Sequence, residues 1–175
     1  MKKIFSFFVC IFICTTVFTQ KDYPVPKKTT TRLFYIQHSK NHNTYVYDAK
    51  MEGEFVNIQN PIDEYRIVYT EGGEKKPLNK IQKQFAYGMV TKSIAPNLIE
   101  MHLVASSKLK FYLIHNPNEK PRVYVTINNC KLYLDSIFVE LEENTSSIKA
   151  KAKYVLFSGK DFTSGKNVTQ KLIVE

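Results

Sequence analysis

The fold class is decided by two runs, Leu33-Phe34-Tyr35-Ile36-Gln37 and Thr44-Tyr45-Val46-Tyr47-Asp48. Both are rich in β-branched and aromatic residues, which are enriched in strands. Residues 39–43, which separate them, read Ser-Lys-Asn-His-Asn and favour a turn. The pattern therefore predicts a β-hairpin with a loop of about five residues.

The same character continues along the rest of the chain. Apolar residues alternate with polar ones at Tyr65, Ile67 and Tyr69, and again at Ile99, Met101 and Leu103. Alternation with a period of two is the signature of a half-buried strand. Further strand-like runs occupy residues 109–113, 123–127, 132–141, 148–154 and 168–174.

One segment, residues 77–87, follows a helical spacing instead. Leu78, Ile81 and Phe85 share one helical face at i, i+3 and i+7. Pro77 suits the start of a helix, and Gly88 suits a left-handed residue just past its end. We expect one short helix packed on the sheets. The predicted class is all-β, as a single antiparallel β-sandwich with one short helix, and the alternative is a closed β-barrel.

Residues 1–19 have the layout of a secretory signal peptide. Lys2 and Lys3 form a basic head, and residues 4–17 form an almost unbroken apolar run. That run has about fourteen residues, whereas a membrane-spanning helix needs roughly twenty. Cys10 and Cys14 lack the small preceding residue of a lipidation site. We therefore expect cleavage after Thr19 and export to the periplasm or the cell exterior, with no transmembrane span in the mature chain.

The remaining chain divides into a predicted flexible tether, residues 20–31, and a β-rich domain, residues 32–175. Removal of Lys2 and Lys3 from the 25 basic residues leaves 23 against 16 acidic ones, a net charge of +7. A dispersed positive charge favours an anionic envelope polymer, a lipid or another envelope protein as partner, and export argues against nucleic acid. Cys130 is the single cysteine beyond the leader, so no internal disulfide is expected.

The leading hypothesis is a noncatalytic binding domain of the bacterial cell envelope. Its predicted binding surface combines the hairpin loop with the aromatic residues that follow it. The predicted binding residues are His38, Ser39, Asn41, Asn43, Tyr45 and Tyr47.

Two alternatives remain open. A hydrolase would need two or more of His38, Ser39 and Asp63 to converge within hydrogen-bonding reach. A small-molecule carrier would need an enclosed apolar interior of several hundred Å³. The chain carries no phosphate-binding loop, no dinucleotide fingerprint and no Gly-x-Ser-x-Gly motif. We expect no cofactor, no catalytic residues and no metal, since His38 and His42 lack visible further ligands.

Three groups of residues form an ordered set of motifs along the chain. The run Leu33-Phe34-Tyr35-Ile36 leads into Ser39-Lys40-Asn41-x-Asn43-Thr44, Leu78-x-x-Ile81-Gln82 leads into Phe85-Ala86-Tyr87-Gly88, and Gly159-x-Asp161 is followed by Gly165. This order resembles that of one exported bacterial family, the domain of unknown function DUF4833. The resemblance implies secretion and a compact β-rich domain. It implies no activity, so it assigns no catalytic residue.

Overall fold

The computed structural model describes residues 23–143 and 151–174. Within these ranges the chain forms thirteen strands, one short α-helix and one 3₁₀ turn, so the predicted all-β class is confirmed. The predicted signal peptide, residues 1–19, and residues 148–150 of a predicted strand lie outside the described residues. The elements are β1 (Arg32–His38), β2 (Asn41–Ala49), β3 (Met51–Glu52), β4 (Phe55–Val56), β5 (Ile62–Val68), the 3₁₀ turn (Tyr69–Glu71), β6 (Glu74–Pro77), α1 (Lys80–Phe85), β7 (Met89–Ala95), β8 (Leu98–Leu103), β9 (Ser106–Ile114), β10 (Arg122–Ile127), β11 (Cys130–Leu141), β12 (Ala152–Asp161) and β13 (Asn167–Ile173).

Eleven of the described strands form one curled sheet with two arms that meet at β11. Residues 130–133 of β11 pair with β10, and residues 136–139 of the same strand pair with β1. The first arm runs β1-β2-β5-β6, and the second runs β10-β9-β8-β7. β12 pairs along β11, and β13 follows on β12. β3 and β4 form a separate two-stranded hairpin.

One pairing differs from the predicted antiparallel arrangement. β1 and β11 run parallel, with Ile36 opposite Ile137 and His38 opposite Val139. A parallel pair needs a long connection between its strands, and the whole middle of the chain provides it. Alternation along a strand carries no information about the direction of its partner, so the sequence pattern had no signal for this pair.

The core lies where the two arms face each other. Phe34 of β1 stacks on Tyr47 of β2, with 4.6 Å between ring centroids, and on Phe111 of β9, at 5.7 Å. All three side chains are fully buried. Phe34 therefore contacts both arms, and its burial contributes to holding one arm against the other.

The helix α1 is shorter than predicted and packs differently. Asn79 caps it, since its Oδ1 accepts from the N–H of Gln82 at 2.8 Å while Gln82 Oε1 accepts from the N–H of Asn79 at 3.1 Å. Ile81 is 70% exposed and Phe85 is 73% exposed, so the predicted packing of this face on the sheet is wrong for both.

Gly88 also differs from its predicted role. It does not adopt the left-handed conformation expected of a residue that ends a helix. A Cβ atom at Gly88 would instead lie 2.0 Å from the backbone oxygen of Lys83. A glycine is needed here because the backbone passes against the helix, not because of its own φ angle.

Residues 23–31, the described part of the predicted tether, form no helix or strand. The ring of Tyr23 nevertheless packs edge-on against Phe138 of β11, with 5.2 Å between centroids, and against His42 at 5.0 Å. The backbone oxygen of Pro24 accepts a hydrogen bond of 2.8 Å from the buried side chain of Gln37. The segment thus covers one face of β1.

Candidate functional site

The predicted hairpin is present, but its loop is shorter than expected. β1 ends at His38 and pairs there with Asn41, so the loop contains Ser39 and Lys40 alone. His38 is buried, and burial together with the charge of Lys40 lowers its pKa. The Oγ atom of Ser39 accepts from the N–H of Leu141 at 3.0 Å.

Two other residues of the predicted surface lie beyond this loop. Asn41 is exposed, and its Oδ1 accepts from the backbone N–H of Asn43 at 2.9 Å. This short-range bond supports the local backbone. Asn41 is therefore the most accessible polar residue of the predicted set, because Asn43 is half-buried.

The two tyrosines of the predicted surface face the interior. Tyr45 is 4% exposed and Tyr47 is fully buried. The ring of Tyr45 stacks on that of Tyr87, and the hydroxyl of Tyr47 donates to the backbone oxygen of Tyr87 at 2.7 Å. Their spacing puts both on one face of β2, and the segment after α1 covers that face. They supply no exposed aromatic surface.

Asp63 lies far from His38 and Ser39, the other two residues of the hydrolase hypothesis. His38 is at the end of β1. Asp63 of β5 lies opposite Asp48 of β2, and Asp48 lies opposite Arg32 at the start of β1. Asp63 is therefore near the other end of β1, which is six residues, or about 20 Å of extended strand, from His38. Asp63 instead forms an ion pair of 3.1 Å with Lys75. The arrangement therefore offers no support for joint acid-base chemistry by these side chains.

The carrier hypothesis receives no support either. One depression, between β4 and the β7–β8 turn, has a volume of about 110 Å³, and a second, beside β5 and β7, has about 100 Å³. Sites for drug-sized ligands usually hold roughly 300–1,000 Å³. Neither depression is large enough for such a ligand.

A partly exposed aromatic row lies elsewhere, on the outer face of the second arm. Tyr124 of β10 is opposite Tyr112 of β9 on one side and opposite Tyr133 of β11 on the other. All three are half-buried, and the rings of Tyr112 and Tyr124 stack with 5.0 Å between centroids. Their strand neighbours Phe111 and Val125 point into the core and are fully buried. Period-two alternation thus sends the tyrosines outward.

Phe162, just after β12, extends this row. Its ring stacks on Tyr133 at 4.7 Å and meets Tyr124 edge-on at 5.6 Å. Its position is set by the backbone, because the N–H of Phe162 donates to the oxygen of Lys131 at 2.9 Å. The four rings therefore form a continuous surface.

Two cations lie over these rings. The Nζ atom of Lys131 is 3.7 Å from the ring centroid of Phe162 and 4.1 Å from that of Tyr124. The guanidinium of Arg122 is 5.2 Å from the centroid of Tyr133. Attraction between a cation and a ring face favours these positions. We call the set the aromatic-basic face: Tyr112, Tyr124, Tyr133, Phe162, Arg122 and Lys131.

The charges around this face favour an anionic ligand. Lys160 lies opposite Tyr133 on β12 and is exposed. Glu100 lies opposite Tyr112, but its carboxylate pairs with Lys110 at 3.2 Å. Burial, followed by the neighbouring Tyr112 and Tyr133, raises the pKa of Tyr124, so its hydroxyl stays protonated at neutral pH and can donate a hydrogen bond.

Sequence reasoning assigned this face no function. Tyr112 lay in a predicted strand among apolar neighbours, and Tyr124 and Tyr133 occupied alternate positions in others. Their common orientation was readable from the alternation, but their alignment across three strands depends on register. Phe162 lay between the last two predicted strand runs, and the sequence had no signal that its ring returns to β10 and β11.

Comparison with known proteins adds a family relationship. A family model described as a domain of unknown function, DUF4833, matches residues 34–171, which is most of the chain. No curated protein and no solved structure matches the chain. Among the described residues there is no helix of the length and apolar character needed to cross a membrane.

Proposed function

The chain belongs to the DUF4833 family, a domain of unknown function, and we propose that it is an exported, noncatalytic domain that binds an acidic polysaccharide through the aromatic-basic face. The observation that carries this proposal is the aligned row of three tyrosines with Lys131 positioned above it. The export part rests on the leader sequence.

The shape of the face favours an extended ligand. The tyrosines come from three adjacent strands, so the row runs across the sheet with a strand spacing of about 4.8 Å. Each ring offers an apolar surface and a hydroxyl at its tip. A flat, repeating surface of this kind suits the repeating rings of a polysaccharide better than a compact molecule, which needs a concave site.

The charges on the face favour a polymer that carries carboxylates. Lys131 and Arg122 lie over the rings, and Lys160 lies beside them on β12. Their ammonium and guanidinium groups can form charge-assisted hydrogen bonds with carboxylate oxygens. The mature chain also carries an excess of positive charge, which raises the local concentration of anionic polymers.

The binding proposal is tested with immobilised polygalacturonate, dextran as a neutral polymer, and vesicles of phosphatidylglycerol and phosphatidylcholine. We expect retention of the purified protein on polygalacturonate and little retention on dextran. Tyr124→Ala and Lys131→Met should each weaken retention by roughly fivefold or more, as expected where a contact residue contributes over 1 kcal/mol.

The matched control is Lys80→Met, an exposed lysine of α1 that lies outside the strands of this face, and it should bind like the wild type. Equal weakening in Lys80→Met would show a general charge effect and contradict a site on this face. Stronger retention on the vesicles than on polygalacturonate would favour a lipid partner instead.

Export is tested separately. Mass spectrometry of the protein recovered from the envelope or medium of the native cells should give an N-terminus at Gln20. Recovery of the full-length chain from the cytoplasm alone would contradict this part of the proposal and leave the polymer-binding test unaffected.

A further inference from the structure

A small cleft lies between the two arms, away from the aromatic-basic face. It has a volume of about 100 Å³ and is lined by Ile62 and Glu64 of β5, Met89 and Thr91 of β7, Lys83 of α1 and residues 59–61. Both arms and the helix therefore contribute to it. Its lining is polar where Glu64 and Lys83 meet.

Glu64 is the buried group of this cleft. Its side chain is 8% exposed. The Oε1 atom accepts a hydrogen bond of 2.7 Å from the backbone N–H of Met89, which fixes the carboxylate. The Oε2 atom is buried and receives no hydrogen bond from the described residues. A buried carboxylate oxygen without a donor is unfavourable, so this atom is a site for a hydrogen-bond donor.

Lys83 lies near Oε2 of Glu64 but is too distant to form a good hydrogen bond with it. Its Nζ atom is 3.5 Å from Oε2 of Glu64, beyond the 2.7–2.9 Å of a good charge-assisted hydrogen bond. The Lys83 side chain is 67% exposed, and ion pairs with exposed partners contribute little. Lys83 is thus a displaceable cation at the mouth of the cleft.

We propose that the cleft binds a primary ammonium group, which takes the place of Lys83 and donates to Oε2 of Glu64. The volume of about 100 Å³ admits the end of an alkylammonium chain and excludes larger ligands. This site is independent of the polymer-binding proposal.

The ammonium group has two sources that share this chemistry: a free polyamine or a lysine side chain of a partner protein. The probes are putrescine and Nα-acetyl-lysine methylamide, each titrated into the purified protein and followed by calorimetry and NMR shifts of Met89 and Thr91. If putrescine binds and the blocked lysine does not, the ligand is a free amine. Binding of the blocked lysine extends the site to protein partners.

Two substitutions test the mechanism. Glu64→Gln should abolish amine binding, while its amide oxygen still accepts from the N–H of Met89. Lys83→Met should tighten binding by roughly two- to fivefold, because the competing exposed ion pair is removed. The matched control is Lys80→Met, a lysine of the same helix that does not line the cleft, and it should leave the affinity unchanged.

Absence of amine binding to both the wild type and Lys83→Met at millimolar concentration would overturn the proposal. Undiminished binding to Glu64→Gln would overturn it as well. If Glu64→Gln does not fold, the comparison of Lys83→Met with Lys80→Met decides: equal affinities contradict the site, and a tighter Lys83→Met supports it.

Discussion

The hydroxyl of Tyr47 donates a hydrogen bond of 2.7 Å to the backbone oxygen of Tyr87. Tyr47 lies fully buried on β2, and Tyr87 lies in the connection between α1 and β7. The bond therefore joins the first arm to the segment that enters the second. Burial, followed by the charge of Glu64, raises the pKa of Tyr47 well above its ordinary value, so the hydroxyl remains a donor.

Removal of this hydroxyl should destabilise the protein. Tyr47→Phe leaves the Tyr87 oxygen without this partner in a part-buried setting, and we expect the free energy of unfolding to fall by about 1–3 kcal/mol in urea denaturation. Tyr112→Phe, on the exposed face, is the control and should change stability by less than about 0.5 kcal/mol. Equal losses in the two variants would contradict a specific role for the Tyr47 bond.

Gly88 should be intolerant of a side chain. Gly88→Ala places a Cβ atom 2.0 Å from the backbone oxygen of Lys83, so the backbone of α1 must move. We expect a loss of roughly 1–3 kcal/mol and faster hydrogen exchange in residues 80–85. Gly53→Ala, where a Cβ meets nothing within 4 Å, should leave exchange in α1 unchanged. If residues 80–85 of Gly88→Ala exchange their amide hydrogens at the wild-type rate, the helix accommodates the added methyl group and this prediction is wrong.

His38 should make stability depend on pH in the mildly acidic range. Its folded pKa is lowered by burial and by Lys40, so the folded state favours the neutral ring. This stability is present above the unfolded pKa of about 6.5 and is lost as pH falls through the lower folded pKa. Urea midpoints between pH 7.5 and 5 should fall less in His38→Gln than in the wild type. An equal fall in His38→Gln and in the wild type would contradict this role of His38.

Tyr65 should ionise late in an alkaline titration. Burial and the hydrogen bond of 2.8 Å that its hydroxyl donates to Asp48 raise the pKa of Tyr65 to about 12. The stability from this shift is present below the unfolded pKa near 10 and is lost as pH rises through the folded value. In an alkaline titration followed by tyrosinate absorbance, Tyr65→Phe should therefore lack a step near pH 12 that the wild type shows. If the variant instead lacks a step near pH 10, the assignment is contradicted.

Polymer binding should weaken with salt. Lys131 and Arg122 lie on a partly exposed surface, where charges are screened over about 10 Å at 0.1 M salt. Retention on polygalacturonate should fall between 0.05 and 0.5 M sodium chloride, and Lys131→Met should show a shallower fall. A salt-independent retention would indicate that the rings, and not the cations, account for binding.

The fold class was predictable because its signal is local. Tyr65 and Ile67, or Leu132 and Leu134, reveal a strand through their own spacing, and the hairpin of β1 and β2 follows from two adjacent runs. The parallel pairing of β1 with β11 joins residues about 100 positions apart, as Tyr35 and Ser136 are. No local pattern distinguishes that partner from the other strands.

The site was harder to predict than the fold. Tyr45 and Tyr47 were both assigned to the predicted binding surface, but the structure covers them with the segment containing Tyr87. Tyr112 and Tyr124 had the same alternation in the sequence and lie on the outer face. The residue types are the same, and the difference lies in what packs over them.

The amino-acid sequence alone determined the all-β class and the approximate positions of many strands, because alternation depends on residues that are near one another in the chain. It did not locate β6 and β7, and it placed both ends of α1 wrongly. The tertiary structure alone decided which tyrosines are exposed, where Lys131 meets Phe162 and how Glu64 comes to line a cleft between two arms. Those relations depend on strand register and on contacts between distant segments, which the order of residues within any one segment does not specify.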